Sequence, residues 1–189
     1  MPAGNFAGTL VLFPGCPPAQ MALRSFTASL ALHDAFAEVT GAPEIFALKW
    51  PNDVLMEGGK VAGILLETAG PALLIGIGVN LAAAPAASEV EPGAVPPAAL
   101  APRFEVTPER MLAGLDPAMR AWEQRLTEAG FASVRDEWQS RAARLGQTIR
   151  ARTGGTERTG VFEGVADDGA LILATSSGRE AIPAAEVHF

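Results

Sequence analysis

Apolar residues fall in short dense runs before residue 80, at helical spacing after residue 107, and in short runs again from residue 147. Residues 6–13, Phe-Ala-Gly-Thr-Leu-Val-Leu-Phe, lie between Gly-Asn and Pro-Gly, a pattern that predicts a strand buried on both faces. Pro17 and Pro18 open a helix that runs to about Val39, with Leu23, Phe26, Leu30 and Ala37 on one stripe, and Gly41-Ala42-Pro43 stops it. A short strand over 45–49 ends at Trp50-Pro51, where proline takes the chain out of a ladder. Residues 53–56 and 60–68 are joined by Glu57-Gly58-Gly59, hairpin chemistry because glycine tolerates the positive φ of a tight turn. Residues 72–79 form another apolar strand, ending at Asn80. Strands so close in sequence predict an antiparallel meander packed on the first helix, an α+β fold.

Residues 82–102 are rich in proline and alanine, show no period and read as a surface or partly mobile loop. Thr107 then caps a helix with Pro108 at its first position. Met111, Leu115, Met119, Trp122 and Leu126 carry this helix to about Ala129, and a second one runs from Ser133 to about Leu145, before Gly146. Short strands over 148–152, 158–165, 170–174 and 179–183 follow, split by Gly- and Asp-rich turns, and predict a small β-barrel. A barrel of that size needs to dock on a larger core. Two units are therefore expected, 1–145 and 146–189.

Composition narrows the class. An apolar fraction of 49% with mean hydropathy +0.22 indicates a folded globular chain, and no apolar run approaches the ~18 residues of a membrane span. The first five residues carry no positive charge ahead of an apolar run, so no signal peptide is read there. The single cysteine, Cys16, cannot form an internal disulfide and fits a reducing, cytoplasmic setting. A net charge of −7 argues against binding nucleic acid or an anionic membrane. Residues 1–102 hold three cations against eight acids, 3 − 8 = −5, few cations for a unit handling a triphosphate alone.

Against that background two residues stand out. Lys49 and Lys60 are the only lysines among 14 basic residues, and they bracket one segment. Lysine is a compact, movable point charge with three donors, whereas arginine is a rigid fork, so the two do not substitute for one another at a reacting centre. Trp50-Pro51 pins the chain, Asn52 and Asp53 project from the bend, and the turn returns Lys60 beside them. Gly63 on the same strand, and Gly76 and Gly78 on the next, leave main-chain groups open to a ligand, and Asn80 adds a second amide. Amides suit a purine edge, and a lysine with bare backbone amides suits a carboxylate or phosphate. The pocket would take a nucleotide joined to a carboxylic acid. Asp53 capping the bend and Lys49 pairing with it at the surface are the ordinary alternatives for those two residues.

The run Lys49-Trp50-Pro51-Asn52-Asp53, then Lys60-Val61-Ala62-Gly63-Ile64-Leu65-Leu66-Glu67, then Gly76-Ile77-Gly78-Val79-Asn80 resembles the central signature of the biotin protein ligases. The opening Gly4-Asn5-Phe6 strand and the closing segment from Gly160 to Leu173 extend the resemblance over essentially the whole chain. It implies a core like that of class II aminoacyl-tRNA synthetases, with mixed and antiparallel strands on helices, and a C-terminal Src-homology-3-like barrel. It also implies that biotin and ATP form biotinyl-adenylate with magnesium present, and that biotin then passes to a lysine of a biotin carboxyl carrier domain. On this resemblance Lys60 bridges the carboxylate and α-phosphate, Gly63 and Leu65 offer amides to the biotin tail, and Asn52, Asn80, Gly76 and Gly78 serve the nucleotide. Asp53 prepares the acceptor amine, with Lys49 and Trp50 in support, and no residue is assigned to a metal.

The sequence departs from that family at its start. The Gly-Arg-Gly-Arg-x-Gly loop expected before the first strand has no counterpart here, in keeping with the cation deficit, and no N-terminal helix-turn-helix is present. The expectation is a ligase core lacking its first portion, whose open strand edges invite a homodimer. A short relative that binds nucleotide or carrier domain without catalysis, and a lipoate or octanoate transferase relative, are the competing readings. The latter's histidine-bearing motif is not seen around His33 or His188.

Overall fold

The computed structural model describes residues 2–91, 93–153, 155–183 and 186–188. The strands β1 (Phe6–Leu12), β2 (Phe46–Lys49), β3 (Asp53–Met56), β4 (Gly59–Ala69) and β5 (Ala72–Val79) form an antiparallel sheet in the order β1-β5-β4-β3-β2. The meander expected from β2 to β5 is present, and β1 closes back on β5 with Phe6 opposite Val79. Helix α1 (Pro18–Ala22) is separated by a turn at Leu23 from α2 (Arg24–Thr40), so the single predicted helix is two. Ala28, Leu30, Ala31, Leu32, Ala35 and Phe36 are all fully buried, because α2 lies between the sheet and α3 (Pro108–Ser140).

Two expectations change here. The run at 6–13 is not buried on both faces: β1 is an edge strand, alternately exposed, with Val11 and Phe13 open to solvent. A continuous apolar run does not distinguish an edge strand from a central one. The second C-terminal helix ends at Ser140, not near Leu145, because residues 141–143 leave to pair with β2. Leu48 N–H donates to Arg141 O and Ala143 N–H to Leu48 O, each at 2.8 Å. The break expected between the two helices is a kink at Gly130, whose φ of 74° lies in the left-handed region. Among the described residues no helix is long and apolar enough to cross a membrane.

The C-terminal part is a second antiparallel sheet, β10-β6-β7-β8-β9, made of β6 (Thr148–Thr153), β7 (Thr156–Val165), β8 (Leu171–Thr175), β9 (Gly178–Ile182) and β10 (Glu186–His188). The last of these was not read from the sequence. This sheet docks on the first unit through polar and apolar contacts together. Trp50 Nε1 donates to Gly169 O at 3.0 Å, Val165 N–H to Gln139 Oε1 at 2.8 Å, and Arg135 pairs with Asp167. Gly169, at φ 86°, lies so close to α2 that a Cβ would meet Leu23 at 3.1 Å and Phe26 at 3.2 Å. One apolar cluster runs through both units.

Candidate functional site

Alternation along the five strands sends Phe6, Val54, Ile64, Ile75, Ile77 and Val79 toward the core, and the residues between them toward the opposite face. On that opposite face register aligns Lys49, Asp53, Gly63, Gly78 and Ala7 in one row across the sheet. The next row holds Leu65, Gly76 and Thr9. Small residues thus make a shallow floor, with charge gathered at the β2 and β3 end.

The hairpin builds the charged end. Glu57 and Gly58 both have positive φ, 50° and 85°, the requirement of a type I′ two-residue turn, and Met56 pairs with Gly59 across it. Register then shifts between Val54 and Leu55, so that Leu55 faces Lys60 but Val54 faces Ala62. Residues three apart on a strand normally point to opposite faces. The extra residue, Val61, turns Lys60 onto the same face as Gly63.

The result is one carboxylate between two ammoniums. Asp53 Oδ1 lies 2.6 Å from Lys60 Nζ and Oδ2 lies 3.4 Å from Lys49 Nζ. Lys49 and Asp53 are buried, whereas the Lys60 side chain is 44% exposed. The Lys60 ammonium, the more exposed of the two, is the cation available to an anionic ligand. Asn52 is oriented by the sheet itself, its Nδ2 donating to Ile64 O at 2.7 Å while Ile64 N–H returns to Asn52 O. Ser25 Oγ holds the bend by donating to Pro51 O at 2.8 Å.

Two adjoining clefts, of about 630 and 510 Å³, meet over this pair and share Asn52, Asp53, Lys60, Gly63 and Gly78. The first extends toward Lys49, Asn80 and the wall formed by Pro85, Val90, Ala94 and Val95. The second extends over Gly76 and Leu65 toward Thr9. Of the residues singled out from sequence, only Trp50 lines neither cleft: its buried ring faces a neighbouring groove and its N–H is bonded to the C-terminal sheet. Sequence reasoning missed the proline-rich wall, and the loop expected over 82–102 is tied down at its end, with Leu100 fully buried. It also missed Val187 of β10, which reaches the first cleft. Neither had a periodic signal to betray it. Among the described residues no group of three or more His, Cys, Asp or Glu side chains gathers to hold a metal.

Comparison with known proteins gives a consistent answer. Residues 2–81 match the model of the biotin/lipoate A/B protein ligase family, and residues 145–189 match that of the biotin protein ligase C terminal domain. The chain is 54% identical to the biotin–[acetyl-CoA-carboxylase] ligase of Paracoccus denitrificans, over all of this chain and 82% of that one. It is 32% identical to the ligase of the same description from Mycobacterium tuberculosis, over 86% of this chain and 60% of that one. Its fold superposes on the biotin protein ligase of Aquifex aeolicus in complex with biotin and ATP with a TM-score of 0.84, at 22% identity, covering 97% of this chain and 77% of that one.

Proposed function

Because this chain belongs to the biotin protein ligase family, we propose that it condenses biotin with ATP and transfers the biotinyl group to a lysine of a biotin carboxyl carrier domain. One observation carries the proposal: two clefts of ligand size converge on a single half-exposed ammonium, one floored by glycines and one walled by apolar residues. The nucleotide would take the cleft of Asn52 and Asn80, and biotin the cleft over Gly63 and Leu65; Gly76, expected from sequence to serve the nucleotide, lines this second cleft instead, and Gly78 lies beneath both. A biotin carboxylate oxygen would then attack the α-phosphorus as the bond to the pyrophosphate oxygen breaks.

Lys60 would leave Asp53 to stabilise the charge that develops on the α-phosphate. Asp53, relieved of one partner but still beside Lys49, would accept or orient the proton lost by the carrier amine as it attacks the acyl carbon and AMP departs. Trp50 supports this end of the site from behind, through its bond to Gly169. Magnesium would arrive with the nucleotide, since the described residues offer no carboxylate cage and this ion commonly keeps phosphate and water ligands. We take residues 1–145 as the catalytic unit and 146–189 as the barrel, working in the cytoplasm. The exposed edge of β1 is the surface through which a homodimer would form.

The match of residues 145–189 to the biotin ligase C-terminal domain favours biotin over a lipoyl or octanoyl substrate. The test is calorimetric titration with a non-hydrolysable biotinyl-adenylate analogue, together with biotin-dependent exchange of labelled pyrophosphate into ATP. Saturable binding and exchange, both lost in Lys60→Gln, are expected. Binding without exchange would favour a non-catalytic relative, and no binding at all would overturn the assignment.

A further inference from the structure

The outer side of β4 changes partner at Lys60. From Ala62 onward that side pairs with β5, and Asn80 N–H still reaches Val61 O at 2.9 Å. Beside Lys60 the place is taken by a distant segment. Lys60 N–H donates to Pro96 O and Ala98 N–H donates to Lys60 O, each at 2.8 Å, in a parallel bridge centred on Pro97. In such a bridge the central residue turns its own polar groups away from its partner, so the absence of an N–H at Pro97 loses nothing.

Three further contacts fix this segment. Asn80 Nδ2 donates to Ala98 O at 3.0 Å, and Leu100 N–H donates to Asn80 O at 3.0 Å. Gly59 admits the close approach, since a Cβ there would stand 2.8 Å from the Ala98 Cβ and 3.2 Å from Pro96 O. Immediately upstream, the same stretch of chain supplies Val90, Ala94 and Val95 to the wall of the first cleft, which Lys60 also lines.

We infer that residues 96–98 are a positioning strap that fixes the main chain of Lys60 for adenylate formation. The inference rests on the reading of Lys60 as the adenylating lysine. A lysine head rides on a flexible four-carbon stem. Clamping both main-chain groups of Lys60 removes the motion of its base and leaves only side-chain torsions to be set by the ligand. Small displacements matter at such a centre, where a misplacement of about 1 Å lowers a rate by about 100-fold.

Two variants test the strap without touching a ligand-binding side chain. Gly59→Ala pushes Ala98 away, and adding Ala98→Gly restores the room; Ala98→Pro deletes the donor to Lys60 O. In the free protein, amide exchange at Lys60 is expected to accelerate at least ~10-fold in Gly59→Ala and in Ala98→Pro, with Ile75 in β5 unchanged. In biotin-dependent pyrophosphate exchange, kcat is expected to fall about 100-fold with KM for biotin unchanged, and the Gly59→Ala/Ala98→Gly pair to recover most of it. Unchanged kcat in both strap variants, or unaltered exchange at Lys60, overturns the strap. If the unaltered protein shows no biotin-dependent exchange, it is the ligase reading that falls. The strap is then judged on the Lys60 amide alone, and stands only if its protection is lost in Ala98→Pro.

Discussion

Gly63 lies directly beneath Lys60: a Cβ on Gly63 would stand 3.3 Å from Lys60 Cε, 3.4 Å from its Nζ and 3.6 Å from Asp53 Oδ1. The ammonium rests this close to the sheet because residue 63 has no side chain. Gly63→Ala should therefore move Lys60 by a few tenths of an ångström, leave stability within about 1 kcal/mol, and weaken adenylate formation about 10-fold. Gly63→Val should abolish it. Equal kcat for the alanine variant and the parent, in pyrophosphate exchange, would show that Lys60 does not use this position.

Stability and chemistry should separate between Lys60 and Asp53. Lys60 is 44% exposed, so Lys60→Gln should change unfolding free energy by no more than about 1 kcal/mol while eliminating adenylate formation. Asp53 is buried beside Lys49, and Asp53→Ala removes a carboxylate that a buried ammonium pairs with, which should destabilise by more than about 1 kcal/mol as well as slowing transfer. Urea unfolding of both variants beside the exchange assay makes the comparison. Lys60→Arg should not restore activity, because a planar fork cannot occupy the place of a compact ammonium.

Much of this site was legible because it is local. The sequence from Lys49 to Gly63 contains its own turn, its own alternation and its own glycines, so the pairing of Asp53 with both lysines needs no distant partner. What could not be read was set by the rest of the fold. The shift at Val61 that puts Lys60 and Gly63 on one face is a choice of register, and nothing in Lys-Val-Ala-Gly announces it. Residues 96–98 pair with Lys60 across a long stretch of chain through two main-chain bonds, and Pro96-Pro97 carries no periodic trace of that pairing. The edge position of β1 was likewise invisible, because Phe6 to Leu12 reads the same whether one face or two are covered.

A second polar cluster makes stability depend on acid pH. Asp34 on α2 accepts from Trp122 Nε1 at 2.6 Å and pairs with Arg141, which also lies 3.2 Å from His33 Nδ1 and 2.8 Å from Glu137. Partial burial pushes the Asp34 carboxyl upward, but hydrogen bonds from His33, Trp122 and Arg141 outweigh it and hold the pKa down at about 2, against an ordinary 3.8. The folded state thus binds this proton less readily than the unfolded chain. The stabilisation is complete above about pH 4 and is lost as pH falls toward 2. Asp34 is 38% exposed, and after allowance for solvent screening the effect is about 1 kcal/mol. Asp34→Asn should lower the melting temperature at pH 7 and match the parent near pH 2; an equal deficit at both pH values would remove the ionised carboxylate from the account.

Trp50 joins the two units at the point where a disturbance would reach the site. Its ring is buried, its N–H donates to Gly169 O, and the residues that follow it are Pro51, Asn52 and Asp53. Trp50→Phe keeps an apolar ring but removes the donor, leaving a partly buried carbonyl without that bond at a cost of about 1–2 kcal/mol. The loss should appear first where Gly169 is attached, so amide exchange in β7 and β8 should accelerate more than in β4 and β5. Adenylate formation should fall by less than about 10-fold, because Lys60 and Gly63 lie on β4, beyond the bond that is broken. Uniform acceleration across both sheets would mean that the ring, rather than its hydrogen bond, holds the C-terminal sheet in place.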